Sequence, residues 1–364
     1  MTDHPVIRLF TPGPVHLSPK TVHALTSPII GHRGNDFREL YASCQPGLQQ
    51  LFETTRPVFF STSSAWGIME GALRNLLEPS SSGKILHCMC GAFSDKWYQV
   101  GERCGYQVSK LQVPWGEPIL PEQLEAALAA EKIDIVTLVH NETSTGVLNP
   151  LPELAAVMKR YPETLFIVDT VSSFSTIPIP MEELGIDVML TGCQKALALP
   201  PGAALFSISE KALKKAQQTA NRGYYFDFLE FQKNHEENMT PSTPAIPHLY
   251  ALASQLEEIQ KEGLKNRYER HRKTNQLVHH WVRDRGFEFF ACEGYRSPSL
   301  TCVANNQEID IPAWIARLRE KYHCIIDGGY GKIKGKTFRI SNMGEETEAT
   351  ISQLLGWLDD TLVR

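Results

Sequence analysis

Residues 187–202, DVMLTGCQKALALPPG, set one lysine, Lys195, among small and apolar residues and end on Pro-Pro-Gly. The first half reads as a buried strand, and the rest as a strand-end loop. A lysine in such surroundings either runs its amine back to water along its own methylenes or stays out of water because a desolvated amine serves as nucleophile and base. The choice depends on what else the chain places at equivalent positions.

The same scheme recurs upstream. VFFSTSSAWGIMEGALRNLL (58–77) reads as a strand, a turn of small residues and a helix, and GKILHCMCGAF (83–93), DIVTLVHNETSTG (134–146) and TLFIVDTVSSF (164–174) repeat the pattern. Strand-loop-helix units at this spacing predict an α/β fold with a mostly parallel sheet covered on both faces. Ligands of such sheets collect beyond the carboxyl ends of the strands. The spacing predicts an N-terminal arm over 1–25, a large domain over 26–260 and a smaller α+β domain over 261–364. Pro12, Pro14, Pro19 and Pro28 argue for an extended first forty residues, and residues 245–285 read as one long helical run. In the last part, SPSLTCVANN and TFRISNMG read as strands and SQLLGWLDDTLV as an amphipathic helix.

Composition narrows the function classes. A net charge of −5 over 364 residues leaves no basic stripe for nucleic acid. No apolar run approaches membrane-spanning length, and the N-terminus carries no charged leader followed by an apolar stretch. The eight cysteines are scattered without metal or redox spacing, which predicts reduced thiols in a cytoplasmic protein.

Five strand ends carry candidate chemistry. Ser63, Ser64 and Ala65 follow the first apolar run, where free N–H groups at a helix start cradle an anion or where hydroxyls simply cap the helix. Trp97 follows a glycine turn and offers either a flat platform or a core ring. Ser144 lies in a polar loop. Asp169 ends a very apolar strand, a costly place for a carboxylate without a positive partner. Gln194 and Lys195 end the fifth run. Pyridoxal phosphate uses all five together: a lysine for a Schiff base, an acid for the protonated ring nitrogen, an anion cradle and a flat surface for the ring.

The strings TPGPV, HNETSTGVLNP, IVDTVSSF, GIDVMLTGCQKALALPPG and FRISNMG resemble the class V pyridoxal-phosphate aminotransferases, in the branch of alanine–, serine–glyoxylate and serine–pyruvate aminotransferases. The resemblance runs through nearly the whole chain. It implies a fold type I homodimer with shared active sites, small amino-acid and 2-oxo-acid substrates, and no nucleic-acid or membrane partner. It further implies that Lys195 binds pyridoxal 5′-phosphate, Asp169 pairs with the ring nitrogen, Trp97 stacks on the ring and Ser144 bonds near the ring oxygen. Gln194 would contact the phosphate or the ring hydroxyl. Ser63, Ser64 and Ala65 would hold the phosphate, joined by Thr243 of the partner subunit. Arg339 would clamp the substrate carboxylate, and Gly13 and Pro14 would line the pocket. The chain departs from the branch at Ala65, often histidine, and at Thr240, often tyrosine.

The implied reaction is a ping-pong transfer between serine or alanine and glyoxylate or pyruvate. Phosphoserine aminotransferases are the runner-up, because Arg33, Arg38, Arg222 or Arg296 could build a second anion site. An aminoethylphosphonate aminotransferase, a cysteine desulfurase using Cys292, Cys302 or Cys324, and a non-catalytic homologue rank lower. A dehydrogenase is excluded by the lack of a G-x-G-x-x-G turn after a strand.

Overall fold

Alternate residues of each central strand enter two different cores. In Leu165–Asp169, Phe166 and Val168 face one cluster while Leu165 and Ile167 face the other. Ile135–Val139 does the same, with Val136 and Leu138 on one side and Ile135 and Val139 on the other. A sheet buried on both faces reads as unbroken apolar runs, as the sequence did.

A computed structural model describes residues 6–363. Its central sheet comprises β1 (Val58–Ser61), β2 (Lys84–Met89), β3 (Gln107–Gln112), β4 (Ile135–Val139), β5 (Leu165–Asp169), β6 (Val188–Gly192) and β7 (Ala204–Ile208). Their spatial order is β1-β7-β6-β5-β4-β2-β3, parallel except for β7, which is antiparallel to both neighbours. The carboxyl ends of β1, β2, β4, β5 and β6 therefore share one edge. Ser61 and Gly192 both pair with Ala204, so these two strand ends lie two strand spacings, about 10 Å, apart.

The helices used below are α1 (Asn35–Phe52), α2 (Ala65–Leu76), α3 (Ala92–Arg103), α4 (Ile246–Glu262), α5 (Leu264–Asp284), α6 (Ile311–Tyr322) and α7 (Glu348–Thr361). Two expectations are corrected. The first forty residues are not wholly extended: Pro19–Leu25 is helical, capped by Ser18 with proline in its first turn. Helix α1 begins after the last of the early prolines, burying Phe37, Tyr41, Cys44, Leu48 and Leu51 at helical spacing. The run 245–285 is two helices, because Gly263 adopts a φ of 79° that no helix tolerates.

Beyond Gly263 the chain builds a three-stranded antiparallel sheet, β8 (Glu288–Phe289), β9 (Leu300–Ala304) and β10 (Thr337–Ser341). Helices α5, α6 and α7 close its core through Trp281, Trp314 and Leu354, against Phe338 of the sheet. The arm joins this unit to the large one. Arg8–Leu9 pairs in parallel with Cys324–Ile325, and further on the Val15 N–H donates to the Gln194 carbonyl at 3.1 Å. All eight cysteines are free. Among the described residues no helix is long and apolar enough to cross a membrane.

Candidate active site

Strands β4, β5 and β6 are neighbours, so the loops leaving their carboxyl ends meet. Lys195, 6% exposed, leaves the β6 loop and donates from Nζ to Thr143 Oγ1 at 2.8 Å and to Ser172 Oγ at 2.7 Å. Those two hydroxyls also bond to each other. Burial, then the Arg339 cation, lower the Lys195 pKa from 10.5 to about 7, against the pull of the Asp169 and Glu142 carboxylates. Asp169, the last residue of β5, is also 6% exposed and takes the Val171 N–H at 2.7 Å. Burial raises its carboxyl, opposed by that N–H and by the Lys195 charge. Among the described residues Asp169 has no ion-pair partner. Gly13 presses on this group: a β-carbon there would fall 2.8 Å from Lys195 Cγ.

Two sequence expectations move by one position or one turn. Trp97 does not offer a face to a cofactor. It is 1% exposed, packs in the core with Met69 and Ile68, and donates its indole N–H to the Met69 carbonyl at 3.3 Å. Phe93, one turn earlier on α3 and half-buried, lies at the site instead, its ring centroid 5.6 Å from Lys195 Nζ. Ser144 does not face the lysine either. Its hydroxyl donates to Glu142 Oε1 at 2.6 Å and accepts the Ala92 N–H at 2.9 Å, leaving Thr143 to meet Lys195.

The sequence reading also missed Glu142. Its fully buried carboxylate accepts the N–H groups of Phe93 and Ser94 at 3.2 and 3.0 Å, and the Ser94 hydroxyl at 3.0 Å. A negative group against the first turn of α3 suits the helix dipole and fixes Phe93. Gly91 permits this approach, since a β-carbon there would lie 2.3 Å from Glu142 Cγ.

The small domain supplies the other side. Arg339, 4% exposed on β10, donates from Nε to Asp327 Oδ1 and from Nη1 to the Thr143 carbonyl, both at 2.8 Å. Tyr330 stands beside it, its ring 5.6 Å from the guanidinium carbon and stacked on Phe93 at 5.2 Å. Thr143 therefore touches both the lysine and the arginine.

At the β1 end, Ser64 caps α2 without using its side chain, and Ser63 Oγ bonds Ser61 Oγ at 2.9 Å. The Ala245 N–H donates to Thr62 Oγ1 at 2.9 Å, which ties the turn carrying the exposed Thr243 to this loop. Gln194 is half-buried and leans over Gly192. Of the spare arginines, three are engaged and one is exposed. Arg38 bonds Glu237, Arg222 pairs with Asp227, Arg296 lies 3.9 Å over the Phe289 ring, and Arg33 is exposed before α1. Cys193, Cys302 and Cys324 are buried, their thiols pushed up to about 12 by burial.

A buried lysine with a depressed pKa, a carboxylate at the end of the adjacent strand and an arginine from a second unit define a fold type I pyridoxal-phosphate enzyme. Residues 22–328 match the family Aminotransferase class-V, and the chain belongs to it. It is 34% identical over 92% of its length to an uncharacterized aminotransferase of Methanocaldococcus jannaschii, covering 87% of that protein. It is 32% identical over 98% of its length to the serine–glyoxylate aminotransferase of Methylorubrum extorquens, covering 90% of it. The crystal structure of alanine–glyoxylate aminotransferase from Nostoc sp. superposes with a TM-score of 0.93 at 30% identity, over 99% of this chain and 96% of that one. The chain is an aminotransferase with pyridoxal 5′-phosphate as cofactor. Its residues fit that group: Asp169 is a buried carboxylate that makes no ion pair among the described residues, which leaves it free for a protonated ring nitrogen.

Proposed function

We propose that this enzyme moves the amino group of L-serine or L-alanine to glyoxylate or pyruvate in a ping-pong cycle. The observation that carries the reading is Thr143, which holds Lys195 by its hydroxyl and Arg339 by its carbonyl. An α-amino group and an α-carboxylate are thereby received side by side. Lys195 would hold the cofactor, Asp169 its ring nitrogen and Phe93 its ring. Ser63, Ser64 and Ala65 would hold its phosphate, with Gln194 beside them and Thr243 of the partner subunit completing the site in a homodimer. Bound there, pyridoxal phosphate supplies an electron sink for the substrate α-carbon.

The rest is done by the chain. Arg339 orients the carboxylate with its planar fork, itself aimed by Asp327. Lys195, whose pKa burial lowers so that its amine gives up its own proton more readily, takes the α-proton on Nζ and returns it. Thr143 and Ser172 keep that amine in place between the two events. Gly13, which presses on the lysine stem, and Pro14 beside it would line the pocket. Phosphoserine is disfavoured, because Arg38 and Arg222 are held by Glu237 and Asp227 and Arg296 lies over the Phe289 ring.

Purified holoenzyme titrated with L-serine, L-alanine and O-phospho-L-serine tests the reading through release of the matching 2-oxo acid. Serine or alanine should act at the lowest concentration. Release from phosphoserine alone would replace this assignment, and release from none would end it.

A further inference from the structure

The groups assigned to the amine and the carboxylate leave the substrate's third substituent, its side chain, without a recognising residue. One wall of the site runs from Lys195 Nζ to the Phe93 ring centroid (5.6 Å), then to the Tyr330 ring centroid (5.2 Å), then to Arg339 Cζ (5.6 Å). An amino acid bridging the lysine and the arginine lies along that wall, and Tyr330 is its outer half. We propose that Tyr330 is the specificity-determining residue that restricts substrates to short side chains; the proposal rests on the transaminase reading given above.

Three observations support it. Tyr330 is 41% exposed, a large ring at the mouth of an otherwise buried polar site, where it shields Phe93 and Arg339. Its ring is set in place from two directions, by near-parallel stacking on Phe93 (13°) and by its backbone. The flanking Gly329 and Gly331 have φ of 86° and 61°, and both are pressed: β-carbons there would meet Thr337 Oγ1 at 2.6 Å and Trp115 Cη2 at 3.0 Å. Lys332 then lies 4.1 Å over the Trp115 ring, and that indole donates to Asp95 at 3.1 Å. A ring held this firmly meets a longer side chain as a wall, not as a yielding surface.

The test compares Tyr330→Ala and Tyr330→Phe with the wild-type holoenzyme. Tyr330→Ala should raise the ratio of kcat/KM for L-leucine over L-alanine by about 10- to 100-fold, as expected when a pocket gains room for a few methylenes. Tyr330→Phe keeps the wall and should leave the ratio within about twofold of wild type. An unchanged ratio in Tyr330→Ala, with alanine turnover retained, overturns the proposal. Calorimetric binding of propanoate and hexanoate, which engage Arg339 without any reaction, separates this from failure of the transaminase reading. Tyr330→Ala should gain affinity for hexanoate relative to propanoate even if no amino acid is turned over, and no gain overturns the proposal.

Discussion

The two sides of the site are built by different means. On the lysine side, Lys195, Thr143, Ser172 and Asp169 each lie within a few residues of a central strand's end, so the sheet register alone brings them together. On the arginine side, Arg339 lies inside strand β10, and Tyr330 and Asp327 come from the turn before it. The first side is fixed by local chain geometry. The second depends on how the small unit seats against the large one, through contacts such as Arg339 to the Thr143 carbonyl. On the proposed reading, chemistry at the α-carbon falls to the side fixed by the sheet, and recognition to the side assembled by packing.

Substitutions on the two sides should therefore fail differently. Lys195→Ala removes the proposed base and should lower turnover of alanine with glyoxylate by about 10⁴-fold, with substrate binding largely retained. A loss confined to KM would break the distinction. Arg339→Gln should raise KM for the amino acid by about 100-fold and change kcat less, as loss of a charged, two-donor contact implies. Asp327→Asn, which only re-aims the guanidinium, should shift KM in the same direction by about tenfold.

Phe93→Ala and Trp97→Ala separate site from core one helical turn apart. Trp97→Ala should cost about 3 kcal/mol of folding stability in a denaturation curve and leave cofactor affinity alone. Phe93→Ala should weaken retention of pyridoxal phosphate about tenfold at a smaller stability cost. The same lysine also sets a pH slope. Lys195 binds its proton less well folded, at about 7, than unfolded, at 10.5. The unfolded apoprotein thus holds more protons in that window, and stability should rise as pH climbs from about 7 to 10.5. Lys195→Met should flatten this rise in pH-dependent melting. Arg339→Gln should move the lower edge of the window upward, because it removes a cation that lowers the Lys195 pKa.

The strand-end rule made Lys195 and Asp169 legible, since an apolar strand that ends on a charge can be read from one sequence. It could not say which hydroxyl of the Thr143-Ser144 pair faces the lysine, because a loop has no fixed side-chain period. Only Glu142, a buried carboxylate taking the Ser144 hydroxyl, settles the choice. Phe93 and Trp97 share one face of α3 at i and i+4, so periodicity cannot separate the two rings. The discriminating signal is distance from the sheet edge: four residues carry Trp97 about 6 Å further along the helix. The break at Gly263 was readable only as a glycine in a long helical pattern, and its φ supplied the reason. Tyr330 stood in a glycine-rich segment remote in sequence from every strand end of the central sheet, with nothing local to mark it.

Thr143 carries a consequence for substrate geometry. Its side chain fixes the amine side and its own carbonyl the carboxylate side, so the separation between the two recognition points is set by the covalent frame of one residue. Shifts of the small unit that keep the Arg339 contact cannot stretch that gauge. Amino acids with the amine one carbon further from the carboxylate should span the wrong length, and β-alanine should fail where alanine succeeds.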